Sequence, residues 1–494
     1  MCGIAGVIGW QTSDTNKIAA MKNIKNTLEK RGPDQHAIYT SPLADLVNTR
    51  LHITDIENNR NQHLFQKNDL VLVYDGEIYN KKELKDQLSS LGHYFRYNSD
   101  VEVLLTSYIE WGKNCLNRIR GVFSFAIWER ENKKLFFARD RIGAKPLFFS
   151  ITNDVFLFGS EIKSILSHPL SRARVTKDSI SEIILLSPNR TPGCGVFSGV
   201  EEVKPGHYGI YQNKKLTVKK YWSIDNFTNN DINKKEKLKS LILENIQDSY
   251  SSDELLINNL QYQNAEELLQ ALYTAVDARD LPGIPDLDSE LLLFCKNIKS
   301  NTAMSGEFEI LDNHIRPIGQ AYRRSFLRKD IIEVEKDYAK KRYAENNEKL
   351  HWNMQPILDR LDRLSMYNGL HLKLPFYDYR IIQHVQKMCN SIEDYNSILS
   401  EAIQEVVPND LFLVPKRKSN ITTEKNHSYF KLVSDTLSDT ISNPNAPILY
   451  FLRKDKILDL ILQVIQKELS KNIEKTIQAI NFFLQFNYWL DKYL

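Results

Sequence analysis

Short apolar–polar alternations dominate the first two hundred positions. DLVLVYDGEIYN (69–80) alternates strand-forming and polar residues, GVFSFAIWERENKKLFFARDR (121–141) reads as two strands around a polar turn, and PLFFSITNDVFLFGSE (146–161) reads as another hairpin. Helical spacing appears between them. NKKELKDQLSSLG (80–92) puts Leu84, Leu88 and Leu91 on one face and stops at Gly92; DVEVLLTSYIEWG (100–112) offers Asp100 as N-cap and Gly112 as exit. This mixture predicts a layered α+β architecture. Near SIDNFTNNDINKKEKLKS (223–240) the composition turns to Asn, Asp and Lys, which predicts a linker. Beyond it the period is helical. Leu350, Met354, Ile357, Leu361 and Leu364 share a face in the stretch from Tyr343 to Leu364, with Pro356 as an expected kink, and the chain from Tyr450 onward keeps the same period.

A length of 494 residues exceeds one core and predicts two domains. A net charge of +3 gives no reason to expect nucleic acid or a membrane surface as partner. The five cysteines (Cys2, Cys115, Cys194, Cys295, Cys389) are odd in number and never in CxxC spacing, so neither a disulfide framework nor a zinc site is expected, and a reducing, cytoplasmic compartment is. No run is apolar enough to span a bilayer, and the opening stretch lacks the basic region of a signal peptide.

That opening stretch, MCGIAGVIG, carries the candidate chemistry. With the methionine removed, Cys2 would hold a thiol beside a free α-amine. The two groups titrate at about 8.5 and 7.7–8.0, so the amine can accept the thiol proton near neutral pH. The alternative is a strand that merely buries a small thiol.

RGPD (31–34), RLHITDI (50–56), DGEIYN (75–80), NSDVEVLL (98–105), GVFSFAIWE (121–129), RDRIGAKPLFF (139–149), GSEIKSIL (159–166) and PGHY (205–208) follow MCGIAGVIG in one order. Together they resemble the class II glutamine amidotransferase domain, an N-terminal-nucleophile (Ntn) hydrolase fold in which two antiparallel sheets stack between helices (αββα). The likeness covers 2–222. It implies that Cys2 attacks the glutamine amide carbon, giving a thioester and ammonia. Arg50 would hold the substrate carboxylate, with Leu51, His52, Ile53 and Thr54 beside it, and Asp100 would hold the substrate ammonium. Gly76 and Glu77 would line the pocket, the Gly76 N–H facing the oxyanion. The sequence departs from that pattern at Asp75, where the family has an asparagine whose amide donates to the oxyanion. An ionised aspartate has no donor, which predicts weak glutaminase activity.

The second half resembles the synthetase domain of the asparagine synthetase family through YTAVDARDLPGIPDLDSELLLFCKNIK (273–299), MSGE (304–307), WNMQPILDRLDRLSMYNGLHLKLPFYDYRIIQHV (352–385) and PKRKS (415–419). The charged residues Asp359, Arg360, Asp362 and Arg363 would equally suit a helix with ion pairs along its own surface. The resemblance implies ATP and Mg²⁺ as cofactors, glutamine, aspartate and ATP as small-molecule partners, and a possible homodimer. Glu307 would act in adenylation and ammonia attack; Ser305, Gly306 and Lys418 would lie at the ATP and aspartate site. The family's glycine-rich pyrophosphate loop has no counterpart, because the interval from Leu238 to Arg279 contains no glycine. The family's magnesium-binding aspartate is replaced by Ile310, so no metal ligand is assigned. The expected organisation is a glutaminase domain at 2–222, a linker at 223–240, and at 241–494 a mostly helical remnant of an adenine-nucleotide α-hydrolase-like domain. Three readings follow: an asparagine synthetase with an impaired ATP-dependent half, a glutaminase supplying ammonia to a partner, or a non-catalytic partner of an intact synthetase.

Overall fold

The computed structural model describes residues 2–52, 65–97, 99–223, 234–249, 264–305, 325–328, 349–388, 392–406, 427–465 and 473–494. Twelve strands of the first half form two antiparallel sheets. The first contains β1 (Cys2–Ile8), β2 (Gln35–Thr40), β3 (Ala44–Arg50), β8 (Phe148–Thr152), β9 (Val155–Gly159) and β10 (Val200–Glu202), in the order β10-β8-β9-β1-β3-β2. The second contains β4 (Phe65–Lys67), β5 (Leu70–Ile78), β6 (Gly121–Glu129), β7 (Lys134–Arg139), β11 (His207–Gln212) and β12 (Lys215–Lys220), in the order β12-β11-β7-β6-β5-β4.

The period-2 patterning sets the layers. Ile4 and Ile8 of β1 meet Val71 and Val73 of β5, with Phe137, Phe156 and Phe158, in a buried layer between the sheets. Gly6 sits in that layer because a Cβ there would come within 2.4 Å of the Phe158 ring. The alternate residues Ala5 and Val7 face outward, onto Met21, Ile24 and Leu28 of and beside the Asp14–Thr27 helix. On the far side of the second sheet, Leu72 and Tyr74 pack with Leu84 and Leu88 of the Lys81–Ser90 helix and Val103–Leu105 of the Asp100–Trp111 helix. Leu91, expected on that apolar face, lies past the helix end and is 54% exposed. The N-cap of the Asp100–Trp111 helix is Ser99, whose Oγ accepts from Glu102 N, so Asp100 is its first helical residue and not its cap. Gly112 ends that helix with φ 55°.

Among the described residues the second half is mainly helical, with two short strands, β13 (Thr302–Met304) and β14 (His371–Lys373), which pair in parallel. A helix begins at Lys234, inside the stretch expected as linker, and runs to Ser249. Packing does not divide there either. One buried cluster joins Val7, Leu157 and Phe197 to Leu272, Phe483 and Trp489, and another joins Val122, Ile142 and Trp222 to Leu238, Leu358 and Ile382. Among the described residues no helix is long and apolar enough to cross a membrane, and the four described cysteines are free thiols.

The Lys349–Tyr367 helix contains Pro356, and it buries not only Met354, Ile357, Leu361 and Leu364 but also Asp359, Arg360, Asp362 and Arg363. The charged stripe that could have been a solvated face is therefore inside the molecule. Its partners come mainly from other elements. Asp359 accepts from Arg279 (2.9 Å), Arg363 donates to Asp280 (2.6 Å), and Asp362 takes Arg31 (2.6 Å) and Lys145 (2.7 Å). Buried charges persist only when paired.

This network makes stability acid-sensitive. Burial alone would raise the Asp362 carboxyl, but Arg31 and Lys145 outweigh it and hold it at about 2. An unfolded aspartate titrates at about 3.9. A depressed folded value contributes stability that is present above the unfolded value and disappears as pH falls through the folded one. The urea midpoint is expected to fall between about pH 5 and about pH 2, and to fall less in Asp362→Asn. Identical slopes in the two proteins would show that this carboxylate contributes nothing to acid sensitivity.

Candidate active site

Cys2 opens β1, and the β1–β3 register places it directly opposite Arg50. Directly opposed residues in an antiparallel pair project to the same face, so the ladder itself brings the thiol and the guanidinium together. Leu51, next along, is buried against Met366 of the Lys349–Tyr367 helix. His52 donates its backbone N–H to Asp34 Oδ2 (2.7 Å), and its carbonyl accepts from Asn301 Nδ2 (3.2 Å). The chain leaving β3 is thus tied both to the RGPD motif and to the second half. Ile53 and Thr54 lie outside the described residues.

The second sheet supplies Asp75, Gly76 and Glu77 from the end of β5. Asp75 is fully buried. Its Oδ1 accepts from the Cys2 main-chain nitrogen (3.0 Å) and its Oδ2 accepts from Arg31 Nη2 (2.7 Å). Gly76 has room for no side chain, since a Cβ would lie 2.3 Å from the Val122 carbonyl oxygen of β6. Burial raises the Glu77 carboxyl, against the lowering effect of Lys373. Asp100 accepts from the Ile78 N–H (2.8 Å) and pairs with Lys81 (3.1 Å), so its carboxylate is anchored at the junction of β5 and two helices.

Arg31, quoted above only as part of RGPD, is central to this geometry. Its Nε donates to the Cys2 carbonyl (3.0 Å), Nη2 donates to Asp75, Nη1 meets Asp362 (2.6 Å), and Glu161 stands 3.7 Å away. Burial opposes its charge, but Asp362, Asp75 and Glu161 outweigh that and keep the guanidinium ionised. Lys145 reaches Asp362 from the RDRIGAKP loop, which is shaped by Asp140. That carboxylate accepts from the N–H groups of Ile142, Gly143, Ala144 and Lys145 at 2.8–3.1 Å. The motif strings contained Arg31 and Lys145, but only the fold shows that they are joined through Asp362 and, by way of Asp75, to the Cys2 nitrogen.

The residues assigned to the ATP site are not brought together among the described positions. Gly306, Glu307 and Lys418 lie outside them. Ser305 is buried, and its N–H donates to the Lys373 carbonyl (2.9 Å), which commits that donor to the small parallel sheet. The glycine-free interval is helical at Lys234–Ser249 and Ala265–Arg279. The described residues do not build a backbone cradle for pyrophosphate.

Two stacked antiparallel sheets with a cysteine at the start of the central β1 define an Ntn-hydrolase-type glutamine amidotransferase half joined to a helical half. Residues 1–222 match the glutamine amidotransferase domain family, and residues 317–491 match the asparagine synthase family. The two matches together set a glutamine amidotransferase half before an asparagine synthase half, and over its whole length the chain is similar to a glutamine-hydrolysing asparagine synthetase. It is 28% identical to asparagine synthetase [glutamine-hydrolyzing] 3 of Bacillus subtilis across 100% of this chain and 99% of that relative. That alignment runs over 614 positions against 494 residues here, a difference of 120. Asparagine synthetase [glutamine-hydrolyzing] 2 of the same organism is 34% identical over 45% of this chain and 31% of its own length. A solved glutamine phosphoribosylpyrophosphate amidotransferase from B. subtilis aligns at 18% identity and TM-score 0.34, over 55% of this chain and 58% of that one.

Proposed function

We propose that this chain serves asparagine synthesis through glutamine hydrolysis at Cys2, and that its ATP-dependent half-reaction is impaired. The observation that carries the reading is the position of Cys2: it opens β1, lies opposite Arg50, and has its main-chain nitrogen against Asp75. Residues 2–222 form the glutaminase half and 241–494 the synthetase-like half. With methionine removed, that nitrogen becomes the α-amine. It takes the thiol proton as sulfur attacks the glutamine amide carbon, the C–N bond breaks with the proton going to the leaving nitrogen, and water cleaves the thioester to glutamate. Arg50 receives the substrate carboxylate as a planar two-point donor, and Asp100 the substrate ammonium.

Asp75 works against this chemistry in two ways. It offers no donor to the oxyanion, and its carboxylate against the freed amine favours the protonated form, which cannot accept the thiol proton. The missing pyrophosphate loop favours a second reading, in which the ammonia goes to a partner protein.

Glutamate release and aspartate-dependent ATP–pyrophosphate exchange separate these readings. Slow glutamate release without ATP, lost in Cys2→Ala, is expected together with exchange at background. Aspartate-dependent exchange at a rate matching glutamate release would replace the impaired-synthetase reading with a complete enzyme. No glutamate release, with Cys2 inert to a glutamine-analogue electrophile, would leave only the non-catalytic reading.

A further inference from the structure

The Cys2 main-chain nitrogen is connected to the second half of the molecule by an unbroken line of buried charge. Cys2 N donates to Asp75, Asp75 accepts from Arg31, and Arg31 in turn reaches Asp362, 331 positions further along the chain. Every side chain in this line is almost wholly withdrawn from water. Lys145 closes it on the far side of Asp362 at 2.7 Å. Charges at such depth act over several ångströms with little screening.

We infer that Asp362, on the Lys349–Tyr367 helix, is a positioning residue for the nucleophile: through Arg31 it sets both the place and the charge balance of the Cys2 amino group. The inference rests on Cys2 being the reactive residue. Arg31 is divided between two carboxylates. Asp362 draws it toward the helical half, while its Nε still holds the Cys2 carbonyl. With Asp362 neutral, Arg31 is left to Asp75 and Glu161, and Lys145 has lost its partner. The surroundings of the amine gain net positive charge, and its proton leaves more readily. Removing the Lys145 charge does the reverse.

The other groups facing this point are fixed on the surrounding elements. They are Glu77 on β5, Arg50 on β3, Glu161 beyond β9, Arg363 on the same helix as Asp362, and His371 and Lys373 on β14. Burial, then Lys145 and Lys373, hold His371 neutral, so it adds no charge of its own. Arg363 is occupied by Asp280 at 2.6 Å, and Glu161 by Lys163 at 2.7 Å. Arg31, Asp75, Asp362 and Lys145 are the charges that contact one another in an unbroken line to the nitrogen.

The test is the pH dependence of Cys2 alkylation by iodoacetamide in the full chain, followed by mass spectrometry of the N-terminal peptide. Asp362→Asn is expected to move the midpoint to lower pH by about one unit, Lys145→Gln to move it higher by a similar amount, and the double variant to return it near the parent value. A merely structural role for Asp362 would not give opposite shifts that cancel. Unchanged midpoints in folded single variants would overturn the inference, as would shifts of the same sign in both. Should Asp362→Asn fail to fold, Lys145→Gln alone decides by the direction of its shift. Protection of Cys2 by added glutamine reads the glutaminase assignment separately: shifts without protection keep the electrostatic inference and remove that assignment, and protection without shifts does the opposite. A Cys2 unreactive at every pH in the parent overturns both.

Discussion

Asp75→Asn is expected to raise glutamine hydrolysis by about 10²–10³-fold, the amount by which removing one oxyanion donor usually lowers turnover. The side chain is buried at the end of β5, held between the Cys2 nitrogen and Arg31. An asparagine of the same shape keeps one acceptor there and adds two N–H donors. It also removes the carboxylate that favours a protonated amine. The change leaves Arg31 with Asp362 at 2.6 Å and Glu161 at 3.7 Å, so the guanidinium is not stranded and the fold should tolerate the substitution. The measurement is glutamate release per mole of alkylatable Cys2 in the absence of ATP. A variant no faster than the parent would show that Asp75 does not limit the reaction.

Arg363→Leu is expected to give the largest loss of stability, about 3–5 kcal/mol, as for other buried ion pairs that lose one partner. Arg363 is wholly buried, 2.6 Å from Asp280, with Glu161 at 3.8 Å and Asp359 at 4.0 Å. Burial opposes its charge, but Asp280, Glu161 and Asp359 outweigh that and keep it ionised. Leucine fills part of the volume and leaves Asp280 to Lys163 alone at 3.4 Å. Because Asp280 terminates the Ala265–Arg279 helix while Glu161 follows β9, the loss should weaken both halves together. Urea unfolding followed by tryptophan fluorescence and by circular dichroism should show one earlier transition. If only the helical signal moves, the two halves are less coupled than their shared buried clusters imply.

The same contacts mark how far local sequence can be read. Strands β5 to β9 follow from period-2 alternation because each has one face on the apolar layer between the sheets and the other against helices. Helix ends were less legible. Leu91 fits the apolar spacing yet lies in solvent, because the Lys81–Ser90 helix stops one residue earlier. Ser99 took the capping place expected of Asp100 because Asp100 is bound to Ile78 N and Lys81, partners that only the folded chain brings near. The helix starting at Lys234 was hidden by an Asn- and Lys-rich composition that reads as linker; its Leu238, Leu241 and Ile242 are nevertheless buried against the second half.

By itself the sequence determined the layered first half, the helical second half, the candidate nucleophile at Cys2, the acidic substitution at position 75 and the absence of glycine between Leu238 and Arg279. Each of these is a property of residue type or of short-range spacing, which the chain carries whether folded or not. Only the tertiary structure decided that the charges of LDRLDR are buried rather than solvated, and that Asp362, Arg31 and Asp75 form a line of contacts ending at the Cys2 nitrogen. Those contacts span tens to hundreds of positions, and no local period encodes them. They exist because burying the apolar faces of two halves against each other forces the remaining charged side chains to find partners inside.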